Sequence, residues 1–140
     1  MERLAKERVK NFVLGGNAII TIESGMTGKH FTYKITRSKT DENLYFVKSL
    51  RGADNLSDYV YIGCYYADTK YFHPEKRYKG VATYAWPKSL QAINYMFKFL
   101  DNIPDKLIIY HEGRCCVCGR RLTTPESIEL GVGPECAKYV

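Results

Sequence analysis

Apolar positions along the chain fall into short alternating runs, separated by glycines and small polar residues. Residues 2–11 predict a short charged helix with too few repeating apolar positions to bind it to a core, and Gly15-Gly16 stops it. In NAIITIES, Ala18, Ile20 and Ile22 share one strand face. A glycine-bearing turn follows over residues 25–29, and then Phe31, Tyr33 and Ile35 alternate with His30, Thr32, Lys34 and Thr36. Two alternating runs about such a turn predict a β-hairpin. A second turn over residues 40–43 leads to a third strand, LYFVKSL, and residues 51–58 form a loop. The fourth strand, YVYIGCY at 59–65, sets Val60, Ile62 and Cys64 on one side and Tyr59, Tyr61 and Tyr65 on the other.

Residues 66–85 show no period and predict a long exposed loop. PKSLQAINYMFKFLDN is helical: Pro87 suits a first turn, and Leu90, Ile93, Phe97 and Leu100 form a stripe that Ala92, Met96 and Phe99 widen. So wide an apolar face packs a helix across a sheet. Residues 106–111 give a last strand. The expected fold class is α+β: an antiparallel β-sheet with one packed helix, followed by a small treble-clef-like zinc module. The expected division is a basic, Tyr-rich α+β domain at 1–105 and a zinc-binding module at 106–140.

Charge sharpens this division. The net charge is +6, but residues 1–100 hold 16 Lys/Arg against 9 Asp/Glu, whereas residues 101–140 hold 5 against 6. The basic surplus therefore lies wholly outside the cysteine-bearing end. No apolar stretch approaches the ~20 residues of a membrane span, and the opening MERLAKERVK lacks the apolar core of a secretory signal. A cytoplasmic location with reduced thiols is expected, where a thiol cluster points to metal or catalysis before disulfides.

Four of the five cysteines lie in HEGRCCVCGRRLTTPESIELGVGPEC. Cys115 and Cys118 are spaced C-x2-C ahead of Gly119, which lets a tight turn present two sulfurs to one ion. Cys136 follows Gly133-Pro134, a helix-start pattern in which free N–H groups favour a thiolate. A knuckle pair plus a ligand in a helix's first turn is the treble-clef plan. For the fourth ligand His111 is preferred, giving H-x3-C-x2-C-x17-C. Cys116 is the rival, although adjacent side chains usually diverge. Between the ligands, Thr124 can cap a helical turn with Pro125 at its first position, or Thr123 and Glu126 can form a capping box. The expectation is one structural Zn2+ on His111, Cys115, Cys118 and Cys136, contributing on the order of 10 kcal/mol to folding the module.

Residues 111–138 resemble the C-terminal signature of a domain of unknown function common in phage and bacterial proteins. The pattern is C-x2-C-G-R-x-L, then T-x-P-x-S-I, then G-x-G-P-x-C. It is carried by Cys115, Cys118, Gly119, Arg120, Leu122, Thr123 or Thr124, Pro125, Ser127, Ile128, Gly131, Gly133, Pro134 and Cys136. AIITIESGMTGKHFTYKI and DYVYIG are similar, more loosely, to the sheet region that often precedes this signature. The resemblance implies metal binding and a phage or mobile-element origin, and no established reaction. The doublet Cys115-Cys116 departs from the usual single cysteine.

Two stretches suggest what the basic part does. KHFTYKITRSK offers Lys29, Lys34 and Arg37, with no acid; KYFHPEKRYK offers Lys70, Tyr71, Lys76, Arg77 and Lys79. Cationic side chains bind phosphates, and exposed aromatics such as Tyr59, Tyr61 and Tyr65 stack on unpaired bases. Against this, strand tyrosines commonly pack half-buried and basic loops commonly only solvate. The expected function is that of a small phage or mobile-element zinc protein binding single-stranded or structured nucleic acid. The alternative is an inhibitor or adaptor acting on a host nucleic-acid-handling or defence complex, such as a CRISPR-type nuclease, with Tyr65-Tyr66 and Tyr71-Phe72 as interface anchors. No membrane or small-molecule partner is expected. Nor is an enzyme: His30, His73 and His111 have no recognisable nucleophile or carboxylate partner, and Cys64 reads as a core thiol.

Overall fold

The computed structural model describes residues 1–25, 27–54 and 56–140. Met26, in the expected turn at 25–29, and Asn55, in the expected loop at 51–58, lie outside the described residues. Alternation produces strands β1 (Glu2–Arg3), β2 (Asn17–Ser24), β3 (His30–Arg37), β4 (Leu44–Leu50), β5 (Tyr59–Tyr66), β6 (Tyr71–Pro74) and β7 (Leu107–His111). They form one sheet in the order β1-β7-β2-β3-β4-β5-β6, with every neighbouring pair antiparallel. The run from β2 to β6 is a meander. β7 returns to lie between β1 and β2, where His111 faces Glu2 on one side and Ile20 on the other. The strand that leads into the cysteines is thus an inner strand of the sheet.

Helices α1 (Val9–Val13) and α2 (Lys88–Lys98) cover the same sheet face. Phe12 of α1 packs against the His111 ring, with centroids 5.2 Å apart. On α2, Phe97 stacks on Tyr65 at 4.1 Å and on Phe72 at 5.7 Å, and the Tyr33 hydroxyl donates to the Ser89 carbonyl. Ile20, Ile22, Ile35, Val47, Ile62, Leu90, Ile93 and Met96 fill the space between. Each such side chain removed from water contributes roughly 1.5–3 kcal/mol before entropic losses. α2 follows its predicted stripe, with Leu90, Ile93 and Phe97 buried and Lys98 exposed.

The structure corrects the expected faces of β5. Tyr65 points into the core at 3% exposure, as does Ile62 at 2%, while Tyr61 stays outside at 42%. The cause is a bulge: the register shifts between Val47 and Lys48 of β4, so one extra β5 residue is accommodated and the alternation changes phase. Gly63 sits at this point because a Cβ there would lie 2.5 Å from the His73 carbonyl oxygen. Cys64, opposite Phe46, consequently shares the outer face with Tyr61.

Residues 66–85 are more ordered than the missing period implied. They contain β6 and two 3₁₀ turns, Lys76–Tyr78 and Thr83–Ala85. β6 has only four residues and one deeply buried side chain, Phe72, too little to register as alternation. Among the described residues, no helix is long and apolar enough to cross a membrane.

Candidate metal centre and basic cleft

Beyond β7 the chain forms a compact segment around three sulfurs. Arg114 bridges Arg121, and the turn between them closes with Gly119 N–H donating to the Cys115 carbonyl at 2.9 Å. Gly119 has φ 78°, the left-handed conformation that the expected knuckle requires. Helix α3 (Pro125–Leu130) starts at Thr124, whose hydroxyl accepts from Ser127 N–H at 3.3 Å, with Pro125 in the first turn. Thr124, of the two candidates, is therefore the cap. Gly131, at φ 73°, ends the helix. Cys136 then opens a 3₁₀ turn, Ala137–Tyr139, its N–H reaching the Gly133 carbonyl.

These elements bring the sulfurs of Cys115, Cys118 and Cys136 within 4.8 Å of one another. Thiolates held about 2.3 Å from one tetrahedral zinc lie about 3.8 Å apart, so sulfurs already gathered this closely need only small side-chain adjustments to share one ion. All three cysteines are free thiols. Val117 and Gly133 each direct a backbone N–H at Cys115 Sγ, 3.4 Å away. Burial pushes the Cys115 thiol up, but the backbone N–H groups of Cys118, Gly133 and Val117 outweigh it and bring the group down to about 7. Burial and the neighbouring sulfurs of Cys118 and Cys115 push Cys136 up to about 11. Cys115 is thus more readily ionised than Cys136, and a cation is what would let its neighbours ionise beside it.

Neither rival for a fourth ligand joins this group. His111 is 1% exposed, stacked on Phe12, and its Nδ1 accepts from Gly113 N–H at 3.0 Å. Its Nε2 is buried with no hydrogen-bond partner among the described residues. Burial holds its pKa below the usual imidazole value, against an opposite pull from the Ile128 backbone. Cys116 turns the other way from Cys115, as adjacent side chains do. A Cβ on Gly15 would lie 2.6 Å from its sulfur, its N–H donates to Gly131, and its carbonyl accepts from Asn17. Burial pushes its thiol up to about 12. The doublet therefore divides its work: Cys115 joins the cluster and Cys116 seals the joint with α1 and β2. The three-sulfur cluster opens onto a groove of about 490 Å³ lined by Arg120, Arg121, Thr124, Ser127 and Glu135.

The basic residues separate into several places. Lys70, Tyr71, Lys76 and Lys79 line one cleft of about 1100 Å³ between β6 and α2, together with His73, Tyr78, Trp86 and Lys98. No Asp or Glu is among its lining residues. Lys70 also pairs with Asp101 at 3.1 Å. Arg77 is outside the cleft and pairs with Glu75 at 2.8 Å. Arg37 ties the Tyr45 hydroxyl at 2.7 Å to the Leu14 carbonyl at 2.8 Å, a packing role. Lys29 precedes β3, and Lys34 lies on β3, away from the cleft. Two cleft residues were not singled out from the sequence. Lys98 could have been found as the polar side of the α2 stripe; Trp86 sits in a stretch without period and gave no signal.

Fold and site together define a small antiparallel-sheet protein whose end carries a thiol cluster able to hold a metal ion. Residues 109–140 match a family of unknown function, DUF6011. No curated protein and no solved structure matches the chain.

Proposed function

We propose that this is a zinc-stabilised protein of phage or mobile-element type that binds single-stranded or structured nucleic acid in the cleft between β6 and α2. Zn2+ on Cys115, Cys118 and Cys136 is structural in this proposal and follows the treble-clef plan, a knuckle pair joined to a ligand at the start of a helical turn. Thiolate donors favour zinc over hard cations. The observation that supports nucleic acid is the composition of the cleft: Lys70, Lys76, Lys79 and Lys98 around Tyr71, Tyr78, Trp86 and His73, without a lining carboxylate. Cations track phosphates while aromatic faces take bases, and this pairing suits flexible single strands better than a rigid duplex.

The test is the affinity of the zinc-loaded protein for labelled oligonucleotides across a salt series. Changing Lys76, Lys79 and Lys98 together to Ala is expected to weaken binding by about tenfold or more and to flatten the salt dependence. The same affinity in wild type and variant would remove the cleft from the proposal. Capture of a single host protein that survives nuclease treatment would replace it with the adaptor role.

A further inference from the structure

The sheet face turned away from α1 and α2 carries a pairing that folding alone disfavours. Lys34 of β3 and Lys48 of β4 are direct cross-strand partners. Like charges in that relation repel and destabilise a sheet. Neither ammonium has a carboxylate within ion-pair distance among the described residues. The contact that Lys34 does make is with an aromatic face, 5.9 Å above the Tyr59 ring.

The same register row continues from Lys48 to Tyr61. The next row on this face runs Thr36, Phe46, Cys64, His73, and the one after it Leu44, Tyr66, Tyr71. The bulge keeps these rows in phase by turning Tyr65 inward and leaving Tyr61 and Cys64 outward. Tyr61 and Tyr71 are 42% and 60% exposed. Tyr66 meets the His73 ring edge-on at 5.6 Å, and Tyr71 lies 4.6 Å from it. Tyr71 and His73 also line the cleft, so the face and the cleft are continuous across β6. Of the carboxylates near these tyrosines, Glu75 pairs with Arg77, while Asp54 and Glu112 act on Tyr59, the ring that Lys34 overlies, without forming an ion pair with Lys34 or Lys48.

We infer that this outer face is a second part of the binding surface, along which a single nucleic-acid strand leaves the cleft over β6 and places a phosphate between Lys34 and Lys48. The inference rests on the nucleic-acid role proposed above. An anion between the two ammonium groups offsets their repulsion, and Tyr61, Phe46 and Tyr66 offer faces on which bases stack. From β6 to β3 is three strand spacings, about 14 Å at about 4.8 Å each. That is comparable to the width over which a four-stranded RNA-binding sheet stacks two or three bases.

The test compares Lys34→Ala/Lys48→Ala with the cleft variant, reading oligonucleotide affinity, salt slope and melting temperature. For the double variant the expected result is an affinity loss of about tenfold and a salt slope smaller by about 0.7, the counterion release of one single-strand phosphate contact. Its melting temperature is expected to equal or exceed that of wild type, because a repulsive pair has gone. Tyr61→Leu is expected to lose affinity without changing the slope, as stacking does. Unchanged affinity in Lys34→Ala/Lys48→Ala, while the cleft variant still loses binding, would overturn the outer face and leave the cleft standing. A lower melting temperature with unchanged affinity would assign the lysines to folding and overturn it equally. No salt-sensitive binding by wild type would overturn both.

Discussion

Tyr33 shows how much one buried hydroxyl can hold. It is fully buried, and its hydroxyl donates to the Ser89 carbonyl, joining β3 to the start of α2. Burial pushes its phenol well above the ordinary 10. Because the folded-state value is raised, the contribution is fully present below pH 10 and is lost as pH rises above it. Tyr33→Phe is expected to cost about 1–2 kcal/mol at neutral pH, since the Ser89 carbonyl loses its partner. The deficit should shrink near pH 11, where wild type alone must keep this phenol protonated. Denaturant unfolding at the two pH values measures both quantities. That Tyr33 faces inward was legible from its alternation with Lys34 and Thr32. Its bond to Ser89, 56 positions away, was not, because alternation gives a face and no partner. For Arg37 the same limit applies: its exposed position was legible, its bonds to the Tyr45 hydroxyl and the Leu14 carbonyl were not.

At the scale of elements, the cysteine segment was the most legible part of the chain. Its order depends on local spacing: C-x2-C, a left-handed glycine, a Thr-Pro helix start and Gly133-Pro134 before Cys136. Each is a short-range requirement that a sequence states directly. The fourth ligand was not legible, because the position of His111 depends on β7 packing beneath α1, a contact made across the whole chain. Cys118→Ser is expected to abolish stoichiometric zinc in protein purified under reducing conditions and to loosen residues 112–140. The sheet, with its own apolar core, should remain folded. Metal analysis together with amide hydrogen exchange separates the two effects: fast exchange confined to the segment supports the assignment, and full zinc content in the variant would sink it. β5 was legible as a strand and not as a surface, since the bulge that inverts Tyr65 depends on the β4 register and the neighbouring His73 carbonyl.

Across the whole molecule, the antiparallel meander and the packed α2 follow from periodicity, whereas the place of β7 does not. A strand at 106–111 was predicted without knowing that it enters between β1 and β2. That insertion joins the basic sheet to the thiol cluster: β7 hands the chain to Gly113 and Cys115, and Cys116 and Gly131 close against α1. It also has a consequence for how the protein is made. On the ribosome the N-terminal portion emerges first, and folding proceeds in that direction. Until residue 111 has left the exit tunnel, β2 has an open hydrogen-bonding edge where β7 will lie, an invitation to another chain. A fragment ending at residue 105 is therefore expected to self-associate, visible as concentration-dependent light scattering, and adding a synthetic peptide of residues 106–111 in excess should suppress it. β7 is thus the element that closes the β2 edge, and a chain cut short before it is expected to give a sticky product rather than a smaller working one.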